Sequence, residues 1–297
     1  MLSAGIRLRR PGLWLGAVLL ALLLAQGGVA QDTAAPPAPV IPTGPPEWKP
    51  LFKGIERAEV ACGEPASLRV HAVRIDLHAP GIRFLVTPSN GDRPLETDSA
   101  KTSTFLVKHG CQLAVNASPF SPVEEEEGAA QDILGLSVSD GDAYSGQHPT
   151  FGSLIITRDN KARIAVPPLD AAAAHNAVGG FHLLLDDGEN VGTGGDRHPR
   201  TAAGVSEDGR LLYLLVIDGR QPGYSIGATT AEAAEWLKYF GAHSGLNLDG
   251  GGSTALVISD GKGGFRLLNQ PIHNGFPGLE RAVGNHLGVF AEPLHAE

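Results

Sequence analysis

The sequence is short of positive charge, of metal-ligand spacing and of cysteine, and each shortage closes off a class of function. Basic residues number 23 against 32 acidic ones, for a formal charge of −9. No cluster of Lys and Arg offers itself to the phosphates of a nucleic acid or to an anionic membrane. The eleven histidines are scattered, with no HxH or HExxH spacing, so no metal site of the zinc type is expected. The longest apolar run, Leu13 to Ala25, is shorter than a helix needs to cross a bilayer. Two cysteines are present, Cys62 and Cys111. Both fall in the part of the chain expected to be exported, where oxidation is permitted and an even count favours a Cys62–Cys111 bridge over two small buried thiols.

What is present begins with a leader. Arg7, Arg9 and Arg10 precede the apolar run and small residues close it at Ala30, which is the pattern of a secretory signal peptide over residues 1–30. Gln31 rather than Cys follows, which argues against a lipid anchor. Loss of the leader removes three positive charges and takes the formal charge from −9 to −12. A periplasmic or secreted protein, without stable membrane insertion after cleavage, is the expectation. Residues 31–50, QDTAAPPAPVIPTGPPEWKP, are rich in proline and poor in apolar side chains and read as a linker. No second boundary of that kind follows, so residues 51–297 read as one domain.

Within that domain, alternating segments such as Ser67 to Leu77 and Ile82 to Pro88 predict strands. Asp-Gly pairs at Asp140, Asp187, Asp208 and Asp260 predict the hairpin turns between them. Two helices are expected: one capped by Thr97 or Asp98 and ending at Gly110, and one opened by a Thr229/Glu232 capping box and ending at Gly241. In the second helix, Ala233, Trp236, Leu237 and Phe240 form an apolar stripe that belongs to a core. The expected fold class is α+β: a single sheet-rich domain with mixed strands and a few packed helices.

The stretch LNLDGGGSTALVIS, Leu246 to Ser259, interrupts this pattern. No Lys-Ser or Lys-Thr follows the glycines and ALVIS is β-like, so a nucleotide P-loop is excluded. Turn amides can still nest an anion. Asn247 and Asp249 flank Leu248 on one strand face, and Asn116 ends another strand in CQLAVN. A buried asparagine usually fixes a loop, whereas an aspartate before three glycines is the leading candidate for a site role. Arg200 opens one strand and Asp218-Gly219-Arg220 ends the next. Their guanidinium groups suit a negatively charged substrate group, unless Asp218 pairs with one of them and pins a loop. His198 reads as a loop residue bonded to backbone, with a proton shuttle as the alternative. The run Glu124 to Glu127 reads as a solvated loop, with a divalent cation as the alternative and no other cofactor implied.

Four stretches together resemble the phosphodiester glycosidases: FLVKHGCQLAVNASPF (Phe105 to Phe120), AVGGFHLLLDDG (Ala177 to Gly188), the long run from His198 to Ile258, and RAVGNHLGVF (Arg281 to Phe290). The resemblance implies hydrolysis of a sugar-1-phosphodiester, of the N-acetylglucosamine-1-phosphodiester type, on the glycosidic side, releasing the sugar and a phosphomonoester. It places Asn116, Arg200, Asp218, Asn247, Asp249 and the loop Gly250, Gly251, Gly252, Ser253 and Thr254 on shared motif positions. The individual roles follow from chemistry. Asp249 would support an oxocarbenium-like centre or activate water, with Asp218 as second carboxylate. Arg200 and Arg220 would neutralise phosphate charge, and Asn116 and Asn247 would orient sugar hydroxyls or an acetamido group. After Asn116 the sequence ASPFSPVEEEEG departs from the glycine-aromatic stretch of the family, which bears on which sugar is taken. Two other readings use the same residues: a non-catalytic binder of envelope or capsular polysaccharide, and a phosphodiesterase that cuts the P–O bond.

Overall fold

The computed structural model describes residues 40–64 and 66–294. The expected leader and residues 31–39 of the expected linker lie outside the described residues. The end of that linker is part of the fold. Lys49–Phe52 is a strand, and Trp48 packs edge-on against Phe240 at 5.7 Å with the Arg74 guanidinium 4.5 Å from its ring.

The strands build three principal sheets. The largest has eight, in the order Lys49–Phe52, Ile55–Cys62, Leu68–Asp76, Leu211–Ile217, Arg200–Val205, Ser244–Asn247, Leu183–Asp186, Glu189–Asn190. A five-stranded sheet runs Phe265–Leu267, Leu256–Ser259, Leu113–Asn116, His286–Phe290, Arg83–Val86. A second of five runs Asp142–Ser145, Ser137–Ser139, Asn176–Gly179, Ser153–Ile156, Ala162–Ala165. Every pairing among the described strands is antiparallel. The sheet-rich character holds, but the strands expected to be mixed are antiparallel throughout and are spread over several sheets. Each helix does lead into a strand, but that strand lands between neighbours running the other way: Ser244–Asn247 pairs antiparallel with both Arg200–Val205 and Leu183–Asp186.

Side-chain alternation stacks these sheets into layers. Along Leu211–Ile217, Leu212, Leu214 and Val216 enter the central core, while Tyr213, Leu215 and Ile217 face the opposite side. The central core is closed from the other side by Leu113, Val115, Leu256 and Ile258 of one five-stranded sheet and by Leu154, Ile156 and Val178 of the other. Helix α2, Thr230–Phe240, covers the outer face of the large sheet with Ala233, Ala234, Trp236, Leu237 and Phe240. Helix α1, Thr102–His109, covers Ala114 and Val257 with Phe105 and Leu106. Each fully buried Leu, Ile, Val or Phe adds roughly 1.5–3 kcal/mol to this arrangement.

Helix α2 has the expected capping box, with Glu232 N donating to Thr229 Oγ1 at 3.1 Å and Thr229 N donating to Glu232 Oε2 at 2.9 Å. Helix α1 starts later than expected. Thr97 and Asp98 are drawn into a short strand against Gln131 and Ala130, and the first helical amides find distant partners instead: Lys101 N donates to Glu127 Oε1 at 2.7 Å and Ser103 N to Glu280 Oε1 at 3.0 Å. The Cys62–Cys111 bridge does not form. Cys62 ends a strand of the large sheet with its Sγ 3.5 Å from Val40 O, and Cys111 is buried under α1 in a different cluster. No helix among the described residues is long and apolar enough to cross a membrane.

Candidate functional site

The glycine loop is the crossing between sheets. It leaves the large sheet at Asn247 and enters a five-stranded sheet at Leu256. Leu248 N donates to Thr201 O at 2.9 Å and Asp249 N to Ala117 O at 2.9 Å, so the crossing is tied to both layers. The fully buried Asn116 is the staple. Its Nδ2 donates to Asp249 O at 2.6 Å, and its Oδ1 accepts from Thr201 Oγ1 at 2.8 Å and from Ala255 N at 3.1 Å. These bonds are internal and the side chain is fully buried, so Asn116 holds the loop and has no surface to offer a sugar.

Asp218 is absorbed in the same way. Its carboxylate is 1 % exposed and accepts from Asn269 Nδ2 (2.9 Å), Gln270 N (3.1 Å to each oxygen) and Tyr224 OH (3.1 Å), with His71 Nε2 at 3.3 Å. The expected second carboxylate of the site thus anchors a loop, and it pairs with none of the cavity's arginines. What that loop delivers is Arg220, whose φ of 58° places it in the left-handed region and whose Nη2 lies 3.3 Å from His198 Nδ1.

A cavity of about 240 Å³ opens over the loop, lined by Arg200, Arg220, Arg281, His198, Asn247 and Phe181, together with the backbone of Leu248 to Gly252 except Asp249. Among the described residues, three guanidinium groups and no carboxylate line it. Arg200 donates from Nε to Ala228 O at 2.8 Å and from Nη2 to Asp196 O at 2.8 Å. Burial, and then the like charge of Arg220, holds its guanidinium below the usual value. His198 is pushed down by burial and then by Arg220 and Arg200, which leaves a neutral ring beside the arginines. Its main chain is tied to Ala228 by a two-way bridge, while its ring faces Arg220 rather than a backbone group. Asn247 is 4 % exposed and its Oδ1 has no partner. An unpaired buried carbonyl beside a cavity is costly unless a ligand completes it.

The loop's amides are mostly occupied. Those of Asp249, Gly251, Ser253 and Thr254 donate to protein carbonyls, and that of Gly250 to the Asp249 carboxylate. Positive charge therefore reaches the cavity through guanidinium groups rather than an amide nest. Ser253 and Thr254 are each 1 % exposed and lie outside the lining. Asp249 stands just behind it, partly exposed. Desolvation pushes its carboxyl up to about 6, against the smaller opposing effects of the Ser253 hydroxyl, the Arg281 charge and the Gly250 amide.

Of the candidates read from sequence, Arg200, Arg220, Asn247, Gly250, Gly251 and Gly252 line one cavity, while Asn116, Asp218, Asp249, Ser253 and Thr254 support it from behind. Arg281 and Phe181 were missed. Arg281 opens one of the resembling stretches, yet nothing local distinguishes it from a surface arginine. Glu124 to Glu127 do not converge: Glu125 turns to His273 and Asn274, Glu127 to Lys101. No group of three or more His, Cys, Asp or Glu placed to hold a metal occurs among the described residues.

Comparison with known proteins gives the family and the fold. The profile of the phosphodiester glycosidase family matches residues 109–290, more than half of the chain. Among curated proteins nothing matches. Among solved structures, the catalytic domain of zebrafish N-acetylglucosamine-1-phosphodiester alpha-N-acetylglucosaminidase, auto-inhibited by its pro-peptide, is similar with a TM-score of 0.60 and 19% identity, over 83% of this chain and 88% of that one. A "putative exported protein" of Burkholderia pseudomallei K96243 matches with a TM-score of 0.57 and 16% identity, over 75% and 74%. A hypothetical protein from Synechocystis matches with 0.55 and 18%, over 80% of this chain, which spans 62% of that longer one. At these identities the likeness to solved structures is one of fold.

Proposed function

The chain belongs to the phosphodiester glycosidase family, and from that premise we propose that it is a hydrolase of sugar-1-phosphodiesters, of the N-acetylglucosamine-1-phosphodiester type. It cleaves the glycosidic bond and releases the sugar and a phosphomonoester. The observation that carries the reading is the lining of the cavity, where Arg200, Arg220 and Arg281 meet and, among the described residues, no carboxylate is part of the wall. A phosphodiester carries one negative charge, and a second develops on the leaving phosphate as the C1–O bond breaks. Guanidinium groups fixed there stabilise the transition state more than the bound substrate.

Phosphate leaves readily, so the larger demand falls on the oxocarbenium-like centre and on water. Asp249, just behind the cavity lining with a carboxyl near 6, is the group we assign to that role, taking a proton from the attacking water once ionised. Asn247 Oδ1 accepts from a sugar hydroxyl or acetamido N–H, which resolves its lack of a partner. Phe181 gives the sugar ring an apolar face. Asn116 and Asp218 act on the architecture of the site and touch no substrate. The signal-like leader supports action in the periplasm or outside the cell.

The test is turnover of a panel of sugar-1-phosphodiesters in oxygen-18 water, with products weighed by mass spectrometry. Label in the released sugar is expected; label in the phosphate would mean cleavage of the P–O bond and overturn the assignment. A non-catalytic glycan-binding role draws on one observation, that among the described residues no carboxylate lines the cavity. Wild-type protein that binds these compounds without turning any over would establish that role instead.

A further inference from the structure

The acidic run Glu124 to Glu127 reaches the site through one of its members. Glu125 Oε2 lies 3.0 Å from His273 Nε2, and both its oxygens accept from Asn274 Nδ2, at 3.1 and 3.0 Å. His273 is 4 % exposed, and its Nδ1 accepts from Arg281 Nε at 3.2 Å. Arg281 Nη1 then approaches Ser253 Oγ at 3.4 Å, and that hydroxyl bonds the Asp249 carboxylate. The tautomer follows from the partners. A guanidinium only donates, so Nδ1 carries the lone pair and Nε2 carries the proton given to Glu125.

From this geometry we infer that Glu125 and His273 are positioning residues, which hold Arg281 over Gly252 as the third guanidinium of the cavity and set its distance from Asp249. The phosphate-binding consequence rests on the function proposed above; the positioning itself does not. An arginine without such a brace loses rotamer freedom only when the anion arrives, and that ordering weakens binding. A brace formed beforehand removes the loss. It also fixes a cation beside Asp249, whose ionisation that cation favours.

The test uses the full chain and two readouts. The first is calorimetric titration with inorganic phosphate at low ionic strength. Glu125→Ala and His273→Leu should each weaken phosphate roughly three- to tenfold, the range for losing one ordinary hydrogen bond, since the Arg281 charge itself remains. His273→Asn, whose Oδ1 can replace the Nδ1 acceptor, should restore part of the loss. Arg200→Gln serves as the control for the cavity. The second readout needs no ligand: the Asp249 carboxyl, followed by carbon-13 shift, should titrate at higher pH in His273→Leu because Arg281 is released. Glu125 is largely exposed in its side chain, so its replacement is compatible with a folded chain, checked by the thermal midpoint. If Arg200→Gln abolishes phosphate binding while Glu125→Ala and His273→Leu change neither readout, the brace is overturned and the phosphate reading stands. If wild-type protein binds no phosphate but the Asp249 midpoint still rises in His273→Leu, the phosphate reading falls and the brace stands.

Discussion

Replacing Asp249 by Asn should make the protein more stable and less active at once. In the folded chain the carboxyl rises from 3.8 to about 6, with desolvation as the largest cause. A carboxyl held above its unfolded value contributes stability that is complete below pH 4 and lost as pH rises through 6. At roughly 1.4 kcal/mol per pKa unit the loss above pH 7 has an upper bound of about 3 kcal/mol, and residual solvent contact reduces the expectation to about 1.5 kcal/mol. Asn keeps the shape and can still accept from Ser253 and Gly250, but carries no charge to bury. Urea unfolding at several pH values should therefore show Asp249→Asn ahead of wild type by about 1.5 kcal/mol at pH 8, with the gap closing toward pH 4. Turnover should fall by at least about 100-fold with ligand binding retained, as for loss of a general base. Wild-type kcat/KM should rise with pH through about 6. A variant less stable than wild type at pH 8, or a gap that ignores pH, would refute the account of this carboxylate.

Three further expectations follow from particular contacts. A Cβ on Gly252 would lie 2.5 Å from Arg281 Nη2, a movable side-chain end, whereas one on Gly250 would lie 2.8 Å from the backbone oxygen of Pro199. Gly252→Ala should thus weaken phosphate binding with less than about 1 kcal/mol change in stability, while Gly250→Ala should cost about 2 kcal/mol in chemical denaturation. Burial pushes the Cys111 thiol up to about 12 and raises that of Cys62 less. Titration of the native protein with a thiol reagent at pH 8 should modify Cys62 slowly and Cys111 only after unfolding, and mass spectrometry should find no Cys62–Cys111 bridge. His286 is fully buried and held down to about 3 by desolvation. An imidazole depressed in the fold gives stability that is present above pH 6.5 and declines as pH falls toward 3, so His286→Gln should flatten the acid limb of a stability profile.

The parts of the fold set by local chemistry were legible in the residues. The Thr229/Glu232 capping box marks the start of α2, and the stripe Ala233, Trp236, Leu237 and Phe240 marks the face it buries. What depends on distant partners was not. Thr97 reads as a cap but donates its hydroxyl to Gly284 O at 2.8 Å, and the amides at the start of α1 are met by Glu127 and Glu280. The same division runs through the site. Sequence shows that Asn116 and Asp218 require partners when buried, but not that those partners would be a loop carbonyl and the Asn269–Gln270 segment. Nor does it show that Arg281, 29 positions beyond Gly252 in the numbering, would return to lie on that glycine.

The glycine run is best understood through what rests on it. Gly250 has no room for a side chain against Pro199 O, Gly251 has a φ of 62° with the Arg220 guanidinium 3.1 Å from its missing Cβ, and Gly252 carries Arg281. Three adjacent positions need glycine for three separate reasons: one backbone contact and two arginine beds. The loop has committed most of its amides to the protein, so it cannot supply the positive field itself. That field comes from side chains delivered by other segments: Arg200 from the neighbouring strand, Arg220 from a loop pinned by Asp218, and Arg281 from the segment that follows His273. The motif is therefore incomplete as an anion site on its own. LDGGGST placed in another fold, without guanidinium groups approaching from outside, would present a narrow apolar turn and a partly buried carboxylate, which repels phosphate rather than binding it.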